Sequence, residues 1–417
     1  MLKTNKSILI LGCFDTKGEE YSLLYRCIRA WGESVITINT GVMSTSVDFP
    51  IDFDSSVVAL EAGRSITDLR KDRDRGNAVD VMGKGAAGVV VKLMAENRIK
   101  AAVGMGGGGG TYIALTAMRE IPLGVPKLCL STLTGKDLSG QIGSRDITLM
   151  PSIVDMAGLN SISRLLIKQA AACICAMSNV TDTDDTAVTG RIAISMFGNT
   201  SACADKCIEL LKGKGYEVFP FHANGIGGRT MESLIREGYF DAVLDITTTE
   251  LADDLCGGIC SAGPGRLDAA AELGIPQVVV PGCLDMVNFG KFETVPEHYK
   301  YREFYCWSPE VTLMRTNKEE NKILGERLVQ KISNSFAPVA ILLPTKGISQ
   351  IDTKGGVFYR PEINKALFDT IKEHSKEKIN VIEVDAHIND EKFSTILVSV
   401  LLDMIKKETD DKKIIKF

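Results

Sequence analysis

Residues 7–20 read SILILGCFDTKGEE: an unbroken apolar run from Ser7 to Gly12, a turn, then a helix-like stretch from Glu19 to Trp31. A strand with no polar alternation is one whose two faces are both covered, which is the habit of parallel sheets in α/β proteins. Working outward, VITINT (35–40), AAVGM (101–105) and PKLCLS (126–131) are further strands of this kind. Asn77–Arg98 has helical length and composition despite three internal glycines, and Asn160–Met177 is a second helix. Residues 178–189, SNVTDTDDTAVT, are polar and aperiodic, which predicts a linker at about 178–190.

The rhythm then restarts. IAISMFG (192–198), VFPFHA (218–223), DAVLDIT (241–247), QVVVPG (277–282), VAILLPT (339–345) and NVIEVDA (380–386) are strands. Helices are expected at Cys203–Leu211, Met231–Glu237, Leu267–Leu273 and Glu319–Ser333, with Glu391–Lys407 capping either half. The expectation is two Rossmann-like α/β domains with mostly parallel sheets, 1–180 and 190–417, and a ligand cleft between them.

The bulk composition narrows the function. The 417 residues exceed one core, and 45% hydrophobic with 24% charged residues is ordinary globular composition. A net charge of −5 offers no basic face for nucleic acid. The start MLKTNKSILILG lacks the pattern of a signal peptide, and no run reaches the roughly 18 apolar residues of a membrane span. Eleven scattered cysteines read as reduced thiols, so a cytoplasmic, non-membrane protein is expected.

Ligands of open parallel sheets bind beyond the carboxyl ends of the strands, and unusual residues gather there. Asp15, Thr16, Lys17 and Gly18 follow the first strand; Thr16 and Glu19 have capping-box spacing, which would set Lys17 at the positive end of a helix. Gly106, Gly107, Gly108, Gly109 and Gly110 precede Thr111 at the end of the third strand, AAVGM. Such a run costs roughly 1 kcal/mol per glycine against alanine, tolerable where a ligand must approach backbone amides closely. No Walker lysine follows it. Ser131 and Thr132 add hydroxyls after the fourth, PKLCLS. In the second half Gly198, Asn199 and Thr200 follow one strand and Gly227, Gly228 and Arg229 open a helix. Thr247, Thr248, Thr249 and Glu250 end another strand, and Ser261, Gly263 and Pro264 precede Arg266. Residues 281–288, PGCLDMVN, form a further loop.

The pieces FDTKGEE, GMGGGGGT, DITLMPSIVDMAGLNSIS, FHANGIGGRTMESLI, LDITTTELADDL, SAGPGRLDAA, VVVPGCLDMVNFG and VTLMRTNKEEN resemble the family of the ATP-binding domain of the tomato mosaic virus resistance protein and its bacterial and fungal relatives. The likeness runs from the first strand to about residue 360. It implies a two-domain α/β fold, ATP with Mg2+ carried by the nucleotide phosphates at the domain interface, and a homodimer. Its loop motifs fall on Asp15–Gly18, Gly106–Thr111, Gly227–Arg229, Thr247–Glu250 and Ser261–Pro264. Family members usually carry a serine inside the glycine run and an acid where Gly265 stands, and this chain has neither.

Other chemistries have weaker signals. His222, His298, His374 and His387 form no ligand-spaced pair, while Cys256 and Cys260, four apart on an expected helix, would suit a metal face or simple packing. Cys203 at a helix start with His222 would make a nucleophile and its base. Asp15, Glu250, Asp253 and Asp285 are equivalent candidates for a catalytic base. Three functions follow: an ATP-binding protein with slow turnover, an enzyme of hydrolase or lyase type on a small phosphorylated or carboxylated metabolite, or a nucleotide-dependent interaction module.

Overall fold

The computed structural model describes residues 6–181, 187–375 and 379–414. They divide into two units, Met1–Asp185 and Thr186–Phe417, each an α/β domain with its own parallel sheet. The middle of the expected linker, residues 182–186, lies outside the described residues.

Unit 1 is built on β1 (Ser7–Gly12), β2 (Val35–Asn39), β3 (Ile99–Gly106), β4 (Lys127–Ser131) and β5 (Ile147–Pro151), all parallel in the order β2-β1-β3-β4-β5. The apolar run of β1 is buried at every position because its side chains feed two cores. Leu9 and Leu11 pack against the helices Ser55–Glu61, Arg75–Ala95 and Gly108–Met118. Ile8 and Ile10 pack against Gly18–Ala30 and Ser161–Met177. The glycines of Arg75–Ala95 belong to this packing: a β-carbon on Gly85 would lie 1.9 Å from the Val58 carbonyl oxygen, and one on Gly88 2.6 Å from the Glu61 side chain.

Unit 2 has six parallel strands: β6 (Arg191–Met196), β7 (Glu217–His222), β8 (Ala242–Thr247), β9 (Gln277–Gly282), and two later ones. Between β9 and those lie β10 (Met286–Phe289), β11 (Phe304–Ser308) and β12 (Val311–Arg315), a small antiparallel sheet in the order β10-β12-β11. The large sheet closes with β13 (Val339–Pro344) and β14 (Ile379–Val384), in the order β14-β13-β9-β8-β6-β7. The last helix, Glu391–Ile414, buries Phe393, Leu397 and Leu401 against β6, β8, β9 and β13, so it belongs to unit 2.

Both sheets reverse strand order between their first and third strands, β1/β3 in unit 1 and β6/β8 in unit 2, and such switch points open a crevice at the carboxyl edge. β5 and β10–β12 carried no strand signal that sequence reading used. β5 is an edge strand with every position at least partly exposed, so it lacks an apolar run. β10 and β12 are buried but interrupt their apolar positions with Asn288, Thr312 and Arg315, and β11 is half exposed.

Candidate functional site

The unit 1 site is built around a clamp at its switch point. The Tyr21 ring, fully buried, passes over Gly12, and its hydroxyl lies 3.0 Å from the Leu11 carbonyl and 2.7 Å from that of Met105 while accepting from the Met105 N–H at 2.9 Å. It thus ties the diverging ends of β1 and β3. A β-carbon on Gly12 would fall 1.8 Å from the Tyr21 oxygen, so only glycine fits. Above this clamp is a cavity of about 930 Å³ lined by Asp15, Thr16 and Lys17 after β1, Gly106–Gly110 after β3, Thr132 after β4, and Asp155. Arg70, Arg73, Asp74 and Arg75 line it as well; they sit where the helix Ile66–Asp72 ends and Arg75–Ala95 begins.

The glycine run is the first turn of the helix Gly108–Met118, with Gly107 at the N-cap and no side-chain cap. Its leading N–H groups therefore have no intrahelical acceptor, and the positive end of the helix dipole faces them. Gly106 and Gly110 are glycines for packing, since their β-carbons would crowd Gly110 Cα at 3.0 Å and the Met105 carbonyl at 3.2 Å. Gly108 is different: a β-carbon there would meet no protein atom within 4 Å, and one on Gly107 would meet only Thr132 Oγ1 at 3.7 Å. Neither residue has a positive φ. Asp15 accepts from the Met43 N–H at 2.9 Å through one oxygen and leaves the other buried without a donor. Lys17 reaches the cavity while its ammonium donates to the Met156 carbonyl.

Three sequence expectations change here. Thr16 does not cap the helix; a Lys17 N–H to Cys13 carbonyl turn carries the chain one residue further and Lys17 takes the N-cap without a side-chain bond, so no Thr16–Glu19 box forms. Gly18 opens the helix and does not line the cavity. Thr111 and Ser131 are fully buried and bonded to each other at 2.6 Å, bracing the glycine turn from beneath.

In unit 2 the expected loop residues mostly turn inward. Thr200 and Thr247 join hydroxyls at 2.7 Å, Thr248 donates to the Val280 carbonyl, and Thr249 accepts from Asn288; Thr247, Thr248, Thr249 and Glu250 are all fully buried. Glu250 accepts from the Gly225 and Gly228 N–H groups at 2.7 and 3.1 Å, and a β-carbon on Gly228 would lie 2.2 Å from its carboxylate. Gly227 is held by the His222 carbonyl, 2.0 Å from where its β-carbon would sit. Arg229 donates to the Ser261 carbonyl, Gly263 has a φ of +80°, and the Pro264 carbonyl accepts from Lys331. Gly198 and Asn199 of this set line a cavity beside His222 and Trp307.

What draws the acids inward is Arg266, whose side chain is fully buried. It makes a two-pronged contact with Asp245 at 2.6 Å each, binds Glu250 at 2.5 Å and reaches Glu232 at 3.3 Å. The three carboxylates outweigh its desolvation and hold the guanidinium charged, while burial pushes the Glu232 carboxyl up despite Arg266. Sequence reading placed Arg266 at a loop end but had no means to see partners 16 to 34 residues away. Burial likewise drives Asp253 up to about 7 against hydrogen bonds from Asn288 and Cys260, and raises the buried acids Asp285 and Asp352.

The cysteine readings are also revised. Cys203 is buried in the core beside Cys207, whereas the exposed His222 ring lies against Phe197 at 5.2 Å, so they form no nucleophile and base. The helix Thr249–Cys256 stops before Cys260 at left-handed Gly257, and among the described residues no group of three His, Cys, Asp or Glu could hold a metal ion.

Fold and site together define a two-domain, doubly wound α/β protein with a glycine-floored crevice at its first switch point. The chain belongs to the Uncharacterised protein family (UPF0261): the family's N-terminal domain matches residues 6–183 and its C-terminal domain residues 189–405. It is similar to a UPF0261 protein of Clostridium tetani, 44% identical over 97% of this chain and 100% of that one. It is also similar to the ToMV susceptible protein tm-1(GCR26) of Solanum lycopersicum, 33% identical over 96% of this chain but 56% of the tomato protein. A crystal structure of UDP-N-acetylglucosamine 2-epimerase matches over 96% of both chains at 12% identity with a TM-score of 0.25.

Proposed function

We propose that the unit 1 cavity binds a nucleotide, ATP, through its phosphates. The observation that carries this is Gly108, with Gly107: no protein atom and no backbone angle requires glycine there, yet side chains are withheld over the uncapped first turn of a helix. Withholding them lets a guest reach the amides, and the amides with the helix dipole favour an anion. Lys17, Arg70, Arg73 and Arg75 supply the matching cations. The donor-free oxygen of Asp15 fits Mg2+ carried on the phosphates, an ion that keeps most of its waters and takes one or two carboxylates. The bound ion would neutralise phosphate charge. A cytoplasmic homodimer completes the reading; eleven free cysteines suit a reducing compartment, and among the described residues no helix is long and apolar enough to cross a membrane.

Titration calorimetry with MgATP, ADP and AMP tests the assignment. We expect saturable heat with affinity falling as phosphates are removed, and roughly tenfold weaker MgATP binding in Arg70→Ala/Arg75→Ala, as for loss of charge-assisted contacts. No heat with any nucleotide, or affinity unchanged in the double variant, would overturn it. Heat with sugar phosphates or small carboxylic acids alone would make the site that of a metabolite enzyme, and nucleotide binding without turnover would mark an interaction module.

A further inference from the structure

Resting on the nucleotide reading of the unit 1 cavity, we propose that the loop 152–158, between β5 and the helix Ser161–Met177, is a strap that responds to the guest. A phosphate takes the Lys17 ammonium from the Met156 carbonyl, and Ile153 then leaves its left-handed backbone conformation. Ile153 has a φ of +63° and is 73% exposed. The left-handed region is costly for any residue with a β-carbon and most so for a β-branched one. A side chain lying mostly in solvent gains little packing to offset that cost.

Strain of this kind persists where the neighbours over-determine the backbone. On one side Ser152, 1% exposed, is fixed to the sheet: its N–H donates to the Ser131 carbonyl at 3.0 Å. Its own carbonyl accepts from the Val154 N–H at 2.6 Å, and its hydroxyl donates to the Val154 carbonyl at 2.7 Å, which closes a tight turn around Ile153. On the other side the Met156 side chain is buried in the core with Ile8 and Ile10, its carbonyl accepts from Lys17, and the Gly158 N–H donates to Glu20 at 2.8 Å. Of the groups that make these holds, only Lys17 lines the cavity, and Asp155 of the loop lines it too. A phosphate competes well for Lys17, because an ammonium binds an anion more strongly than a neutral carbonyl. Once Lys17 is taken, the Met156 peptide is free to turn and the chain back to Ser152 can relax. The strain held in the empty protein is then released on binding and adds to the affinity for the guest.

Ile153→Asn in the full-length protein tests the strap, since asparagine tolerates the left-handed region and Ile153 is not among the residues that line the cavity. The variant relieves the empty protein alone, so its thermal midpoint should rise and its calorimetric affinity for MgATP should fall roughly threefold, in line with the several-fold preference of asparagine for this conformation. Lys17→Met keeps the length of the side chain but donates nothing, and so does to the empty protein what the guest does. In that background Ile153→Asn should no longer raise the midpoint, a coupling that a double-mutant cycle reads without any ligand. MgATP affinity unchanged by Ile153→Asn, no rise in its midpoint, or an equal rise in both backgrounds would each overturn the strap. Absence of heat with MgATP in the unaltered protein would instead remove the nucleotide reading, and the ligand-free cycle would still decide whether Lys17 holds Ile153 in place.

Discussion

Glycine 12 and glycine 108 are the same residue for opposite reasons. Gly12 is fixed by the Tyr21 hydroxyl 1.8 Å from its would-be β-carbon, so Gly12→Ala should unseat the clamp and lower the unfolding midpoint in urea markedly. Gly108→Ala meets nothing, and we expect stability unchanged or raised by up to about 1 kcal/mol, since alanine narrows the unfolded ensemble at a compatible helix position. The same variant should weaken nucleotide binding by calorimetry, separating stability from function at one position. Tyr21→Phe should cost about 1–3 kcal/mol in chemical denaturation, because it strands the buried Met105 N–H. The sequence shows all five glycines of residues 106–110 as equals; only the packing distinguishes those that serve the turn from those left open. Tyr21 gave no signal at all, since a tyrosine in an amphipathic helix reads as ordinary core.

Elements that bury an unbroken apolar run were legible, and elements defined by what covers them were not. β1, β2, β4 and β9 fall within a residue or two of their sequence signals because both faces meet helices. β5 and the β10–β12 sheet failed for want of such a run. The hydroxyl- and acid-rich end of β8 was legible as unusual, yet its role was not: Glu250 and the Thr247 carbonyl serve a buried charge network assembled from β8, the helices Ile226–Arg236 and Thr249–Cys256, and the loop bearing Arg266. Spacing along the chain carries no trace of that convergence. Arg266→Met removes the shared partner and strands three carboxylates, so a loss of about 3–5 kcal/mol is expected from guanidinium denaturation. The same loss should shrink as pH falls and those carboxylates take up protons.

At the scale of the whole molecule, the buried acids set the pH response. Burial pushes the Asp253 carboxyl up to about 7 and holds Asp285 and Asp352 above the ordinary carboxylate range. A carboxyl raised on folding binds more protons in the native state, so its contribution is complete below its unfolded value near 4 and is lost as pH climbs toward 7. Thermal midpoints should therefore rise on acidification from pH 7.5 to about 5. They should turn down only nearer pH 4, where carboxylates held low by hydrogen bonds and ion pairs, Glu320 by Arg302 and Glu33 by Lys100, begin to be protonated. Asp285→Asn keeps the Ser349 contact and should flatten the slope; an unchanged slope would show that these acids are not its source.

These interior acids also redistribute the charge of the molecule. Among the described residues, Glu20, Glu232, Asp245, Glu250, Asp253, Asp285 and Asp352 lie inside, against Lys127, Arg266 and Arg315. Asp253, pushed up to about 7 by burial, is partly protonated near neutral pH, and burial moves Asp285 in the same direction, so the molecule carries less negative charge there than its formal −5. Two copies meeting in dilute salt near neutral pH therefore repel each other less than the composition suggests, and the repulsion grows as alkali strips those interior protons.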